Sequence, residues 1–494
     1  MLFNSVIYWL FLPIVWLSYF LLPKNIRWVW LLLASYFFYG FWKVEFVGLM
    51  LLTTVIDWWS AMSIEKTSSP GKRKFWLWFS IGTNVTMLFM FKYFDFAMGK
   101  SSIANWLFHH DSTAWIIELG KYTVPAGISF YTFQSISYVV DVYRGDEKAE
   151  YHLPKFMLYV SFFPQLVAGP IERFGQLHSQ LFAGYMPHWE DIRKGLRLML
   201  YGMFLKVAVA DNLATVVDDF YGNHLLFSKA DSWLATFFFT FQVYTDFFGY
   251  SLLAQGSALL FGIHLMDNFN KPFVAKSVPE FWQRWHISLS TWFRDYIFIP
   301  VGGNRRGPFV LAMAAMLVFF TSGLWHGANT TMIVFGISQG FLYIFDRFVF
   351  KQLDFIGGDK GSEHHVPLRR VIWDGFRKVK TGFLFMMTLV YFRSGSIQQA
   401  GEVFGKLWGS EEGADNDAVQ LGSNALMHHL HVGYVIPLLL VVFLILDLFV
   451  MRVRVDVWLG KFVWWQRWVL YIFMLVAVLM FGGAINHPFV YFQF

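Results

Sequence analysis

What most constrains this chain is the recurrence of apolar runs about as long as a bilayer is thick. Clear ones cover 4–22, 27–42, 44–63, 75–94, 195–217, 309–325, 330–350, 379–393, 432–451 and 468–485. Less regular ones, broken by Pro and Gly, cover 124–143, 153–170 and 233–265. Some 20 apolar residues in a helix cross the hydrocarbon core. A backbone with no water to bond is forced into helices there. The expectation is an all-α integral membrane protein, a multi-span helical bundle with roughly 11–13 membrane segments, some of them partial. Only 15% of the residues are charged and 21% are aromatic, which excludes an ordinary soluble domain. No internal repeat is visible, so one membrane domain over 1–494 is expected, with N-terminal spans in 1–94, a core in 124–350 and C-terminal spans in 379–494.

Loop charge sets the expected orientation. The loop 64–74, IEKTSSPGKRK, is strongly basic, as are 351–380 and 452–467; these belong on the cytoplasmic side. GSEEGADNDAVQ, 409–420, is acidic and belongs outside, as does the C-terminus. The first basic residue, Lys24, follows the first apolar stretch, which therefore reads as an uncleaved span with its N-terminus outside. There is no cysteine, which excludes disulfides, thiolate metal sites, a thiol nucleophile and palmitoylation. The net charge of +6 sits in short loops, so nucleic acid is not an expected partner.

The stretch from Asp267 to Pro308 is polar enough to leave the membrane, yet it is full of Trp, Phe and Tyr. Within it SVPEFWQRWHISLSTWFRDY, 277–296, opens with a capping box, Ser277 and Glu280, and tolerates Pro279 in its first turn. Read as one amphipathic helix, it sets His286 on a face with Trp282, Leu289, Ser290 and Phe293, opposite Arg284, Ser288, Thr291 and Asp295. Burial on that face disfavours an imidazolium, so a neutral ring is expected. A silent core histidine is the bland alternative. His326, in GLWHGAN at 323–329, interrupts an apolar run from Phe309 to Phe350. That run is too long for one crossing. A turn or break is expected near WHGANTT, where Gly323 and Gly327 flank the histidine and Asn329, Thr330 and Thr331 follow. An ionisable residue at such a break is a functional candidate, with an interhelical hydrogen bond as the structural alternative.

Two neutral histidines suit acyl transfer. One imidazole takes the proton of a hydroxyl that attacks a carbonyl, or is itself acylated, while the other histidine, Asn329 or a backbone N–H steadies the oxyanion. No third His or carboxylate lies nearby at ligand spacing, so no metal is expected. No Gly-rich nucleotide fingerprint is present. VGGNRRGP, 301–308, offers N–H groups and arginines for a donor phosphate, or simply a basic cytoplasmic anchor. Arg294 with Asp295 binds donor or forms an ion pair. Tryptophans at segment ends read as interface anchors.

Several stretches carry a family resemblance: LLLASYFFYGFW (31–42), PAGISFYTFQSISYVVDVYRGD (125–146), FFPQLVAGPIERF (162–174), DNFNKP (267–272), EFWQRWHISLSTWFRDYIFIPVGGNR (280–305), GLWHGAN (323–329) and the terminal VYFQF. Together they resemble the membrane-bound O-acyltransferase (MBOAT) family, in its alginate O-acetyltransferase-like bacterial branch. The pairing of EFWQRWHISLSTWFRDY with GLWHG is highly specific. The resemblance implies a helical bundle with a central funnel in a bacterial inner membrane, and transfer of an acyl group from a cytoplasmic donor, acetyl-CoA, to a hydroxyl. It implies His326 as the catalytic residue and His286 as its companion. It also implies an extracytoplasmic SGNH-type partner that places the acetyl group on a polysaccharide such as alginate. Around the two histidines the expected substrate-binding set is Trp325, Asn329, Trp282, Ser290, Arg294, Asp295 and Asp246. No bound cofactor is expected. One departure stands out: DFFGYSLLAQG, 246–256, keeps Asp246 but lacks the second acidic residue of a DFSGYSDMAIG-like stretch. Asp246 is equally readable as a buried acid paired within the bundle. Two competing functions stay open, D-alanyl transfer to teichoic acid from a carrier protein and non-enzymatic transport of envelope precursors.

Overall fold

The computed structural model describes residues 1–93, 127–167, 169–184, 186–357, 367–409, 440–441, 443–445, 447, 454–482 and 489–490. Most of the expected span over 432–451, and the acidic loop 409–420 beyond its first residue, lie outside the described residues. The helices of seven residues or more are α1 Val6–Leu21, α2 Arg27–Gly40, α3 Val44–Lys66, α4 Pro70–Leu88, α5 Ile128–Arg144, α6 Leu153–Ser161, α7 Phe174–Phe182, α8 Trp189–Met203, α9 Asp211–Gly222, α10 Lys229–Leu259, α11 Val278–Arg284, α12 Ile287–Phe293, α13 Pro308–His326, α14 Thr330–Phe348, α15 Leu368–Arg393, α16 Ile397–Trp408 and α17 Trp464–Phe481. A π-helical turn, Phe204–Ala210, joins α8 to α9. Among the described residues the extended backbone forms only one isolated bridge, Phe269 with Trp285.

Four of these segments are long and apolar enough to cross a membrane: Val44–Lys66, Trp189–Gly222, Pro308–His326 and Trp464–Phe481. A fifth candidate is Thr330–Phe348 with Phe350–Gly357, bent by 47°. The other expected runs that fall among the described residues are helical too, but shorter or richer in polar groups. α10 has 31 residues yet buries Asp231, Gln242, Asp246 and Gln255. Such a helix is sheltered by its neighbours rather than by lipid. The protein is a multi-pass, all-α membrane protein.

The chain divides into two compact units, one of residues 1–199 and 250–266, the other of residues 200–249 and 267–494. In the first, Ser5 caps α1 by accepting the Tyr8 N–H. Tyr8, Phe11, Phe38 and Phe163 pack their rings at 5.3–6.4 Å. The buried Asp57 of α3 accepts from Ser80 and Asn84 of α4 at 2.6 and 2.8 Å, so one carboxylate oxygen ties two helices. The second unit holds both candidate histidines.

The expected turn at WHGANTT is present. α13 ends on His326, and Asn329 caps α14 by accepting the Thr331 N–H. The two helices meet face to face at glycines, with the Gly323 and Gly336 backbones so close that a Cβ on either would lie 2.4 Å from a carbonyl oxygen of the other helix. The expected continuous helix over 277–296 is broken. α11 stops at Arg284, Trp285 is extended, and His286 is left-handed at φ 44° and ψ 56° before α12 begins. The cause is tertiary. The Asn270 N–H donates to the Arg284 carbonyl and the Ile287 N–H to the Asn268 carbonyl, both at 2.9 Å. Residues 268–270 thus take the backbone groups that a continuous helix would have used. Rotation at the break also reverses Ser288, expected on the wetter face. It is fully buried and donates to the Asn268 side chain at 2.6 Å.

Candidate functional site

α11 is aimed by its N-terminus. Ser277 accepts the Glu280 N–H at 3.2 Å, but the Glu280 carboxylate reaches the Lys276 N–H at 2.9 Å, so only half of the expected capping box closes as written. Asp346 of α14 accepts the Val278 N–H at 2.7 Å and also pairs with Lys380 of α15. The same short helix presents Trp282, whose indole N–H donates to Gln339 at 3.1 Å. Gln339 in turn donates to Thr388 at 2.6 Å. Three helices are therefore linked through one buried amide that both accepts and donates.

His286 follows at the break and is 1% exposed. Its ring lies 4.6 Å from that of Phe247, nearly perpendicular to it, and 5.9 Å from the Trp325 indole. His326, 6% exposed at the end of α13, packs on the same indole at 4.7 Å, on Phe392 at 5.1 Å and on Phe335 at 5.9 Å. The two histidines are 40 positions apart in sequence, yet both rest on Trp325. The walls are aromatic and nearly dry. Burial pushes the His286 imidazole below its ordinary value, because leaving water costs the charged form most. A neutral imidazole has one acceptor nitrogen, as a general base or a nucleophile requires.

A cavity of about 470 Å³ is lined by residues of α11, α12, α13 and α14 and of the stretch after α12. Ala315, Phe319 and Ser322, on one face of α13, form one wall; Trp282, Ser290 and Arg294 contribute to the other. Arg294, Asn304 and Arg347 supply polar groups away from the histidines. Ser290 is four residues after His286 and Ser322 four before His326, so the cavity reaches within a helical turn of each. Its volume and mixed lining suit an elongated ligand with an anionic end.

Of the sequence-predicted substrate residues, Trp282, Ser290 and Arg294 line this cavity and Trp325 joins the histidines. Asp295 pairs with Arg294 at 2.8 Å. Asn329 is engaged in the α13–α14 turn, where its amide donates to the Gly395 carbonyl at 3.0 Å. Asp246 is in an ion pair with Lys206 at 2.8 Å. Sequence reasoning missed Lys206, Gln339, Asn268 and Arg347. Lys206 was detectable, since a lone lysine within the apolar run 195–217 is costly unless paired. Among the described residues no three His, Asp or Glu side chains are grouped to hold a metal ion.

Comparison with known proteins places the chain in a family. The model of the membrane-bound O-acyltransferase family matches residues 146–374, which include both histidines and the cavity lining. The chain is 35% identical over 411 residues to the probable alginate O-acetylase AlgI of Pseudomonas putida, covering 82% of this chain and 79% of that protein. It is 33% identical over 376 residues to the peptidoglycan O-acetyltransferase of Helicobacter pylori, covering 69% of each. Similarity to the teichoic acid D-alanyltransferase of Bacillus subtilis is lower, 28% over 235 residues, covering 44% of this chain and 57% of that protein. With two buried imidazoles on one indole and relatives aligned along most of its length, this chain belongs to the membrane-bound O-acyltransferase family and is an O-acyltransferase.

Proposed function

We propose that the protein moves an acetyl group from a cytoplasmic thioester, acetyl-CoA, across a bacterial inner membrane for O-acetylation of an extracytoplasmic polysaccharide such as alginate. The observation that carries this reading is the shared packing of His286 and His326 on Trp325 beside the cavity. Arg294, Arg347 and Asn304 suit the donor's phosphates, and the apolar stretch toward Ser322 suits its pantetheine arm. His326 takes the proton of the attacking hydroxyl as its oxygen bonds to the thioester carbonyl. The carbon–sulfur bond then breaks, and the departing thiolate takes up that proton. His286 steadies the dry wall around this step, and Trp325 spaces the two rings.

The names of the two nearer relatives above support a saccharide acceptor and acetyl as the group transferred. An extracytoplasmic SGNH-type partner completes delivery in this reading. The test is transfer of labelled acetyl from acetyl-CoA by protein in proteoliposomes. His326→Ala is expected to lose at least about 10²-fold in rate, the usual weight of a general base, with normal insertion. Wild-type turnover in that variant removes His326 from the mechanism. Saturable transfer only from a loaded carrier protein would move the reading to D-alanyl transfer, and solute flux without acyl turnover would move it to transport.

A further inference from the structure

The second unit buries a lysine and two aspartates that the transfer step does not use. Lys206, 1% exposed, lies on the π-helical turn and places its ammonium 2.7 Å from Asp211 and 2.8 Å from Asp246. A Cβ on Gly249 would lie 2.7 Å from the Gly202 carbonyl oxygen and 3.1 Å from the Lys206 nitrogen. α10 and the π turn therefore cross in direct backbone contact, and Lys206 bridges the crossing.

Asp246 has a second bond. Its other carboxylate oxygen accepts the Val490 N–H at 2.7 Å. The residues beside those two bonding groups face each other. Phe247, next to Asp246, lies 5.7 Å from Phe489, next to Val490, and Phe489 is fully buried. Phe247 is also the ring that lies 4.6 Å from His286, at 83° to it. His286 holds a left-handed backbone conformation that non-glycine residues rarely adopt, so its ring direction depends on the walls around it.

We propose that Lys206 and Asp246, through Val490, clamp residues 489–490 so that Phe489 backs Phe247 and Phe247 seats the His286 imidazole. Lys206 and Asp246 are then positioning residues for the acyl-transfer centre. The proposal rests on the reading of His286 as part of that centre. A buried ion pair is seldom worth more to stability than an apolar pair of the same volume, so its use here is geometric. The pair fixes one register of 489–490 against α10, which apolar packing alone leaves loose.

Three variants test it in purified protein in detergent and in proteoliposomes. Phe489→Ala removes the backing ring and touches no charge. Asp246→Asn keeps an oxygen for the Val490 N–H and removes the ion pair. Phe489→Leu restores apolar volume. Each is assayed for kcat and KM of acetyl transfer, for thermal unfolding, and for carbethoxylation of His286 by diethyl pyrocarbonate, read by peptide mass. Phe489→Ala and Asp246→Asn are expected to lower kcat about tenfold or more, with the donor KM within about twofold, because the ring is displaced rather than the donor site. His286 labelling is expected to accelerate in both, and Phe489→Leu to recover most of both signals. Unchanged labelling of His286 in folded Phe489→Ala overturns the clamp, as does a kcat that falls only in step with the folded fraction. The labelling arm reports on the His286 wall even if wild-type protein transfers no acetyl group, so failure of the acetyl-transfer reading shows separately.

Discussion

Gly323→Ala tests whether His326 is held by the contact of α13 with α14. The added methyl would lie 2.4 Å from the Met332 carbonyl oxygen and 3.0 Å from the Gly336 Cα. Both obstacles are backbone, so no rotamer change relieves them. Reaching ordinary contact, about 3.4 Å, requires the facing helix to retreat by about 1 Å. Overpacking of this kind costs about 1–3 kcal/mol. The functional effect is expected to be larger than the stability effect, because His326 lies three residues on and packs on Phe335 of the opposite helix. A misplacement of about 1 Å costs on the order of 10²-fold in a positioned reaction. The assay is acetyl transfer in proteoliposomes, normalised to inserted protein, beside thermal unfolding in detergent. Gly336→Ala is expected to behave alike, its Cβ meeting the Phe319 carbonyl oxygen at 2.4 Å. The double variant should cost less than the sum, since one separation relieves both clashes. Gly401→Ala, in α16 with nothing near its Cβ, is the control and should keep wild-type turnover. Wild-type turnover and unfolding in Gly323→Ala would refute the argument that this crossing sets His326.

Asn329→Ala removes both the α14 cap and the bond to the Gly395 carbonyl, and is expected to cost about 1–2 kcal/mol in unfolding free energy with a lower transfer rate. Arg294→Ala and Arg347→Ala are expected to raise the acetyl-CoA KM several-fold while kcat changes little, and the deficit should shrink for a donor lacking the 3′-phosphate; an unchanged KM in both moves the donor elsewhere. Glu172, in the loop after the broken helical stretch 153–166, accepts the Met266 N–H at 2.7 Å, and burial pushes its carboxyl from 4.5 up to about 7, against the pull of that N–H and of Arg173. Its contribution is therefore fully present below about pH 4.5 and is lost as the pH rises toward 7, on the order of 3 kcal/mol in all. Glu172→Gln should flatten that part of the unfolding profile between pH 5 and 8, and a profile with the wild-type slope counts against it.

How far the sequence alone carried the fold depended on the range of the forces involved. The spanning helices and the turn at His326 were legible because apolar length, paired glycines and a capping asparagine act within a few residues. The break at His286 was not. SVPEFWQRWHISLSTWF has helical periodicity throughout, and what ends it is the backbone of residues 268–270, which no local pattern can register. The same cause misassigned Ser288, because a face computed at 100° per residue does not survive a left-handed residue. The cavity was partly legible: Ser290 and Arg294 stand in the stretch 277–296, whereas Arg347 enters only when α14 brings it alongside. Lys206 was legible in principle, as a charge in an apolar run, though its two aspartate partners, one five and one forty residues away, needed the structure.

The two histidines are held in different ways, and that difference predicts opposite mutational sensitivities. His326 ends a regular helix whose neighbour approaches at glycine, so its position is a matter of backbone distance, and adding atoms disturbs it. His286 stands on a strained residue between two short helices, and rings at 4.6 and 5.9 Å decide where its imidazole points, so removing atoms disturbs it. Trp325 is common to both sets of contacts. Trp325→Phe, smaller yet still aromatic, should therefore harm transfer more than its modest loss of buried area would cost stability, since it loosens both imidazoles at once. If transfer by Trp325→Phe falls no further than its unfolding midpoint accounts for, the two rings do not act as one centre, and His326 works without its companion.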